Sequence, residues 1–274
     1  MSEAEEIRGG LVLGLRDFCR KTGLGRVHLG LSGGIDSALV ACLAVDALGP
    51  GAVDVFAMPG PFSAPESLIW AQQLAINLGL RLQEIPISPM YKAMMSSIEK
   101  PMGLGDFGVV NENLQSRLRG MVLMAYSNHA QSLLLTTGNK SEYSTGYATL
   151  YGDMCGGLAP IGDLTKDQVF SVCQHYNQHR ELIPQGILDR PPSAELRPNQ
   201  KDEDSLPPYT VLDAAVVKIV EKAGEVKSST EKWLLDQIFR TEFKRWQAAP
   251  ILKASSHSFG RGRRYPIAHR YRES

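Results

Sequence analysis

The sequence predicts an α/β fold in which helices cover both faces of a parallel sheet. Two observations predict it. Short apolar runs of strand character alternate with helical segments of roughly a dozen residues, the pattern of parallel β-α-β units. The first apolar run ends at a glycine-rich turn, and a helical pattern starts directly after that turn. With 274 residues, the chain is long enough for one large domain or for two smaller ones.

The individual elements are predicted from hydrophobic spacing and from the residues that end them. The N-terminal segment 1–25 has apolar residues at helical spacing over 5–20, and Gly23 closes it. Gly49 and Gly79 end two later helices, as glycine often does at helix C-termini. The predicted strands are 27–31, 53–58, 82–87 and 132–136. The further predicted helices are 36–48, 66–78, 111–128, about 210–222 and 230–247.

The predicted helix 111–128 is apolar on more than one side. One stripe comprises Leu114, Leu118, Val122 and Ala125, and further apolar positions are Met121, Leu123 and Met124. Two interpretations remain open, because periodicity alone does not separate them. The helix is either deeply buried within the chain or packed against a second subunit.

Two other segments break the α/β pattern. Residues 196–208 are polar, charged and proline-rich, which predicts a mobile loop that acts as a lid or as a linker. The tail 248–274 is rich in glycine, serine and arginine. We expect this basic tail to be ordered only in part.

The composition excludes several classes of protein. The 29 basic and 29 acidic side chains give a formal charge of zero, so a general basic field for nucleic acid is absent. The four cysteines form no C-x-x-C pair, which indicates a reducing compartment rather than a disulfide or zinc framework. The N-terminus is acidic and lacks the apolar core of a signal peptide, and no run reaches the length of a membrane span. We therefore expect a cytoplasmic protein that binds neither nucleic acid nor membrane.

The segment 30–37, Gly-Leu-Ser-Gly-Gly-Ile-Asp-Ser, carries the clearest chemical signal. Its two adjacent glycines let the backbone approach a ligand, and the unpaired N–H groups of the following helix favour an anion. Asp36 is repulsive beside phosphates unless a cation lies between them, which suggests Mg²⁺. A plain turn with Asp36 as a helix cap is the alternative interpretation. The segment resembles the pyrophosphate loop of the N-type ATP pyrophosphatases, which split ATP between its α and β phosphates.

Three further segments make this resemblance specific. They are 135–142 (Leu-Thr-Thr-Gly-Asn-Lys-Ser-Glu), 146–154 (Gly-Tyr-Ala-Thr-Leu-Tyr-Gly-Asp-Met) and 160–166 (Pro-Ile-Gly-Asp-Leu-Thr-Lys). With the loop at 30–37, they resemble the synthetase domain of the NAD⁺ synthetases over nearly the whole chain. The resemblance implies a Rossmann-like fold of the adenine-nucleotide α-hydrolase type, in a single domain spanning 1–274. It also implies Mg²⁺ as cofactor, ATP as co-substrate and a homodimer.

The resemblance also assigns site residues by position. The implied metal ligands are Asp36 and Glu142, and no covalent catalytic residue is implied. The implied ATP-binding residues are Gly30, Leu31, Ser32, Gly33, Gly34, Ile35, Asp36, Ser37, Thr137, Lys166 and Ser193. The implied contacts to deamido-NAD⁺ are Arg117, Phe243 and Lys244, where Phe243 stands in place of a histidine. Taken singly, Glu142 is also compatible with a helix cap, and Lys166 and Lys244 with solvated charges.

Two positions depart from the stand-alone, ammonia-using members of the family. Those members carry a lysine and an acid that touch deamido-NAD⁺, where this chain has Leu150 and Gly157. The segment 149–154 is more similar to the branch whose synthetase domain is fused to a glutaminase. How the nicotinate end of the substrate is held is left open at these two positions.

The implied reaction is the ATP-dependent amidation of deamido-NAD⁺ to NAD⁺, with AMP and pyrophosphate as products. Only 26 residues precede the first strand, so we expect free ammonia as the nitrogen donor rather than a fused glutaminase. A separate glutaminase subunit is the alternative. A rival interpretation is a tRNA-modifying adenylating enzyme of the same superfamily. The C-terminal arginines favour that rival, whereas the neutral charge and unpaired cysteines oppose it.

Overall fold

A computed structural model of the chain describes residues 2–260. Its centre is a four-stranded parallel sheet in the order β3-β2-β1-β4. The strands are β1 (Val27–Gly30), β2 (Val53–Ala57), β3 (Leu82–Glu84) and β4 (Leu133–Leu134). The predicted parallel α/β fold is therefore confirmed.

The third and fourth strands are shorter than the sequence predicts. After Glu84, the chain still donates from Ile85 N to Ala57 O (2.8 Å) but leaves the regular ladder. After Leu134, Thr136 N donates to Leu158 O (3.0 Å), so the backbone turns towards a later segment. Tertiary pairing of this kind leaves no signal in local hydrophobicity.

Ten α-helices surround the sheet over residues 2–260. They are α1 (Glu3–Thr22), α2 (Ile35–Leu48), α3 (Pro65–Asn77), α4 (Ser88–Met102), α5 (Val109–Ala130), α6 (Lys140–Thr145), α7 (Lys166–Tyr176), α8 (Gln185–Asp189), α9 (Tyr209–Val216) and α10 (Ser229–Arg245). A π-helical turn, Val217–Glu221, continues α9. The sequence did not predict α4, α6, α7 or α8. Helix α4 carries apolar residues at helical spacing (Tyr91, Met95 and Ile98), although none of its residues is fully buried.

Helices cover both faces of the sheet, and the side chains of β1, which point alternately to the two faces, contact both layers. Val27 and Leu29 join a large apolar core with α1, α2 and α7, while His28 points the other way. On that second face, the His28 ring bonds to Ser132 Oγ (2.9 Å) and Leu123 O (3.0 Å), which attaches α5 to the sheet. A separate apolar cluster lies among α6, α9 and α10.

The described helices have two further properties that bear on the predictions. No helix between residues 2 and 260 is both long and apolar enough to cross a membrane. Helix α5 is not deeply buried in the chain, because Met121 and Met124 are 58% and 40% exposed.

Of the basic tail predicted at 248–274, residues 261–274 lie outside the described residues.

Candidate active site

The glycine-rich loop joins β1 to α2 and leaves the first turn of that helix open. No side chain caps the N-terminus of α2, so its N–H groups are available to an anion. Gly33 has φ of 81°, and a Cβ there would lie 2.2 Å from Ser67 O. Only glycine fits this position. The hydroxyls of Ser32 and Ser37 lie 3.1 Å apart and fix the turn.

Two acids and a lysine meet beside this loop. Asp36 comes from the first turn of α2, Glu142 from α6, and Lys166 from the start of α7. The Lys166 ammonium lies 2.6 Å from Asp36 Oδ2 and 3.6 Å from Glu142 Oε1. Asn139 caps α6 and donates from Nδ2 to Asp36 Oδ1 (3.0 Å). The structure thus brings together the three charged residues that the sequence had selected.

The electrostatics of this cluster depend on burial. Burial and the negative charge of Asp36 raise the pKa of the Glu142 carboxyl, an effect that Lys166 opposes. Burial by itself lowers the pKa of the Lys166 ammonium, but the charges of Asp36 and Glu142 raise it. The cluster therefore favours a cation between two carboxylates.

The two carboxylates fit a divalent cation. One ammonium already contacts both, so their oxygens converge on a common point where a hard cation finds oxygen ligands. Among residues 2–260, no three His, Cys, Asp or Glu side chains lie close enough to hold a metal. Two carboxylates with phosphate oxygens are the ligand set that Mg²⁺ commonly takes.

A cavity of about 290 Å³ opens over this cluster, at the carboxyl ends of the strands. It is lined by Glu142 and by all of the predicted ATP-binding residues: Gly30, Leu31, Ser32, Gly33, Gly34, Ile35, Asp36, Ser37, Thr137, Lys166 and Ser193. The hydroxyl of Ser193 donates to Gln200 O (2.6 Å) within the segment that covers the cavity.

Comparison with known proteins decides the family. The sequence profile described as NAD synthase matches residues 8–248. The chain belongs to the NAD synthase family. A glutamine-dependent NAD(+) synthetase of Synechocystis sp. is 47% identical over 277 residues, which cover 98% of this chain and 50% of that protein. The chain therefore spans about half the length of this relative.

Solved structures of NAD synthase relatives agree with the fold. A glutamine-dependent NAD⁺ synthetase from Acinetobacter baumannii, in complex with ADP, is 35% identical with a TM-score of 0.69. The match covers 97% of this chain and 50% of that chain. An NMN synthetase from Francisella tularensis is 30% identical with a TM-score of 0.78, and the match covers 89% of this chain and 96% of that chain.

The residues that were expected to contact deamido-NAD⁺ lie outside the cavity lining. Arg117 is exposed on α5, and its Nε donates to Leu150 O (3.2 Å). The Lys244 ammonium donates to Gly146 O (2.8 Å) and Ala148 O (2.7 Å). Phe243 is 44% exposed. Burial and the positive charge of Arg117 both lower the pKa of Lys244, and Asp153 opposes them.

The two positions that depart from the family are explained in part. A Cβ at Gly157 would lie 2.4 Å from Leu133 Cδ1, so an acidic side chain there would require the Leu133 side chain to move. Leu150 packs against the apolar cluster of α6, α9 and α10 and presents its carbonyl to Arg117.

Sequence analysis missed several residues of the cavity wall. Helix α6 was also missed, although the Asn139-x-x-Glu142 spacing is a capping-box signal from which it could have been predicted. Arg119 donates from Nε to Met58 O (3.0 Å), and burial lowers its pKa to about 10. Asp202 is 4% exposed, although the surrounding segment 196–208 was predicted to be a mobile loop. No local sequence pattern predicts that Asp202 is buried.

Proposed function

We propose that the chain catalyses the ATP-dependent amidation of deamido-NAD⁺ to NAD⁺. The observation that carries this proposal is the convergence of Asp36, Glu142 and Lys166 beside an open helix N-terminus. The nicotinate carboxylate attacks the α-phosphorus of ATP and forms a mixed anhydride, and pyrophosphate leaves. Ammonia then attacks the activated carbonyl, which yields the amide and AMP.

The residues act by position and charge, without a covalent nucleophile. The loop 30–37 and the first turn of α2 bind the phosphates through backbone N–H groups. Asp36 and Glu142 would hold Mg²⁺, which would supply positive charge to the departing pyrophosphate. Lys166 supplies a mobile positive charge to the same phosphates.

Water exclusion is part of the mechanism, because water hydrolyses the anhydride. The segment after α8 folds over the cavity and contacts α3. Glu195 accepts from Ser67 Oγ (2.6 Å) and pairs with Arg190. These contacts keep the segment closed against the ATP end of the cavity.

The nitrogen donor is better explained by glutamine than by free ammonia. The relative from Synechocystis and the structure from Acinetobacter baumannii are both described as glutamine-dependent. We infer that a glutaminase unit supplies ammonia to this site, which is the alternative that the sequence analysis named. The attacking species is still ammonia.

We also propose that two copies of the chain assemble. The exposed stripe of α5 contains Arg117, Met121 and Met124, so a partner packed there would lie beside the deamido-NAD⁺ contact. The reducing cytoplasm is the compartment that suits four free cysteines.

A second candidate product is NMN. The NMN synthetase of Francisella tularensis matches this chain over 96% of its own length. Nicotinic acid mononucleotide carries the same carboxylate as deamido-NAD⁺ but lacks the adenylate half. A comparison of the two as substrates therefore separates the two products.

The test is exchange of labelled pyrophosphate into ATP. Exchange that requires deamido-NAD⁺ supports the proposal, and exchange that requires only the mononucleotide supports NMN formation. Exchange that depends on tRNA, or no exchange at all, contradicts both. Product formation is then compared with ammonium and with glutamine, each alone and with an added glutaminase. Turnover with glutamine only when the glutaminase is present supports the nitrogen source inferred above.

A further inference from the structure

Asp202 has a buried carboxylate oxygen that no described group satisfies. The side chain belongs to a short 3₁₀ turn, Asp202–Asp204, and only 4% of the residue is exposed. Its Oδ2 accepts from the Tyr209 hydroxyl (2.8 Å), whereas Oδ1 lacks a hydrogen-bond partner among residues 2–260. A buried acceptor without a donor is costly, so such a group is expected to have a partner in another state of the protein.

Asp202 lines the same cavity as the charged cluster. The Lys166 ammonium lies 5.2 Å from the centre of the Tyr209 ring, and the hydroxyl of that ring is bonded to Asp202. Tyr209 therefore lies beside both the lysine and the unsatisfied acid. Asp202 is not a third metal ligand, because within the described part of the chain no three acidic side chains converge on one point.

Lys166 occupies the position that a divalent cation needs. Its ammonium contacts both Asp36 and Glu142, and a cation between those carboxylates would repel it. Lys166 must then turn away, and the residue is only 1% exposed, although it lines the cavity. A displaced buried ammonium requires a new acceptor nearby.

We propose that Asp202 is a positioning residue, which accepts the Lys166 ammonium through Oδ1 when a metal ion replaces that ammonium between Asp36 and Glu142. This inference rests on the proposed function, because it requires the metal-bound nucleotide site. Lys166 then has two positions. Before metal binds, its ammonium pairs with Asp36 and Glu142. Once metal and nucleotide are bound, it faces the phosphates and is held by Asp202.

A double-mutant cycle tests this role without turnover. Binding of Mn²⁺ is measured by the loss of its free electron-spin resonance signal, in the presence of α,β-methylene ATP. Asp202→Asn keeps an acceptor for Tyr209 but removes the charge, and we expect it to weaken Mn²⁺ binding by about tenfold, the scale of one charged hydrogen bond. Glu203→Gln is the matched control, since Glu203 is an exposed neighbour, and it should leave binding unchanged.

The same substitution is then made in a Lys166→Met background. If Asp202 acts through Lys166, Asp202→Asn should change Mn²⁺ binding by less than about twofold there. An equal loss in both backgrounds would show a general effect of negative charge and would overturn the proposal. No loss in the first background would overturn it as well.

A structure provides the second measurement, in case a variant does not fold. In wild-type crystals soaked with Mn²⁺ and the same nucleotide, Lys166 Nζ should lie within hydrogen-bond distance of Asp202 Oδ1. Lys166 still bonded to Asp36 would refute the inference. Failure of the proposed function is recognised separately, as wild-type protein that shows no pyrophosphate exchange.

Discussion

The two ends of the candidate site differ in how complete they are within one chain. At the ATP end, Asp36, Glu142 and Lys166 are held by one another and by Asn139, and all three acidic and basic side chains line the cavity. At the deamido-NAD⁺ end, Arg117 is exposed and Lys244 is bonded to backbone carbonyls. In the proposed function, the residues for ATP activation are thus held together within one chain, whereas those for the second substrate lie outside the cavity lining, with Arg117 exposed.

The largest effect is expected from breaking the ATP end. Asp36→Asn removes a carboxylate from the proposed metal site, so turnover should fall by at least about a thousandfold, while ATP binding falls much less. Steady-state rates and nucleotide titration measure the two quantities. Asp17→Asn is the control, because Asp17 pairs only with surface residues on α1. Near-normal turnover of the Asp36 variant would reject the metal role.

The second effect should appear at the open end. Arg117→Ala removes an exposed charge that faces the proposed deamido-NAD⁺ site, and we expect KM for deamido-NAD⁺ to rise roughly 10- to 100-fold. KM for ATP should stay constant. Arg20→Ala on the surface of α1 serves as control. A rise confined to KM for ATP would assign Arg117 to the wrong substrate.

The third variant asks whether Lys244 is a ligand contact or a structural one. Lys244→Met leaves the carbonyls of Gly146 and Ala148 without their donor, so the free energy of unfolding should fall by roughly 1.5–3 kcal/mol. Urea unfolding measures the change. Lys232→Met, at an exposed position of the same helix, should be neutral. Unchanged stability with a raised KM for deamido-NAD⁺ would make Lys244 a direct substrate contact.

The smallest effect concerns pH and the support of the ATP end. Asp213 accepts from Asp167 N (2.8 Å) and from Ser141, and burial raises its pKa to about 6. A raised pKa favours the protonated folded form, so the stability contributed by this carboxyl is lost as pH rises through 6. Relative to Asp213→Asn, wild-type stability should fall by roughly 1 kcal/mol between pH 5 and pH 7. A difference independent of pH would show that Asp213 is not perturbed.

The sequence predicts the ATP end better because its signals are local. The loop 30–37 lies between an apolar strand and an apolar helix, and Glu142 lies three residues after a helix cap. The partners of Lys244 come from 96 and 98 residues away, so no local spacing reveals them. Helix α4 was missed although Tyr91, Met95 and Ile98 recur at helical spacing.

Burial in irregular segments was equally hidden. The stretch around Asp202 is rich in charge and proline, which predicts a solvated loop. Its structure depends on Tyr209 and on contacts with the cavity wall, and these exist only in the folded chain. The parallel sheet was predicted because the alternation of apolar runs with helical segments can be read along the chain, whereas the ends of β3 and β4 depend on distant backbone partners.

The close approach of Gly33 to Ser67 has a mechanical consequence. Gly33 lies against the Ser67 carbonyl, while the Ser67 hydroxyl donates to Glu195 Oε1 (2.6 Å), in the segment that covers the cavity. The glycine-rich loop and the start of α3 are therefore packed directly against each other, with no room between them for a side chain at Gly33. Opening of this segment has to break the Glu195–Ser67 bond together with the contacts from Gln115 Nε2 to Leu196 O (2.9 Å) and between Arg197 and Glu112 (3.4 Å). Entry of nucleotide and exit of pyrophosphate therefore require several bonds to be released together.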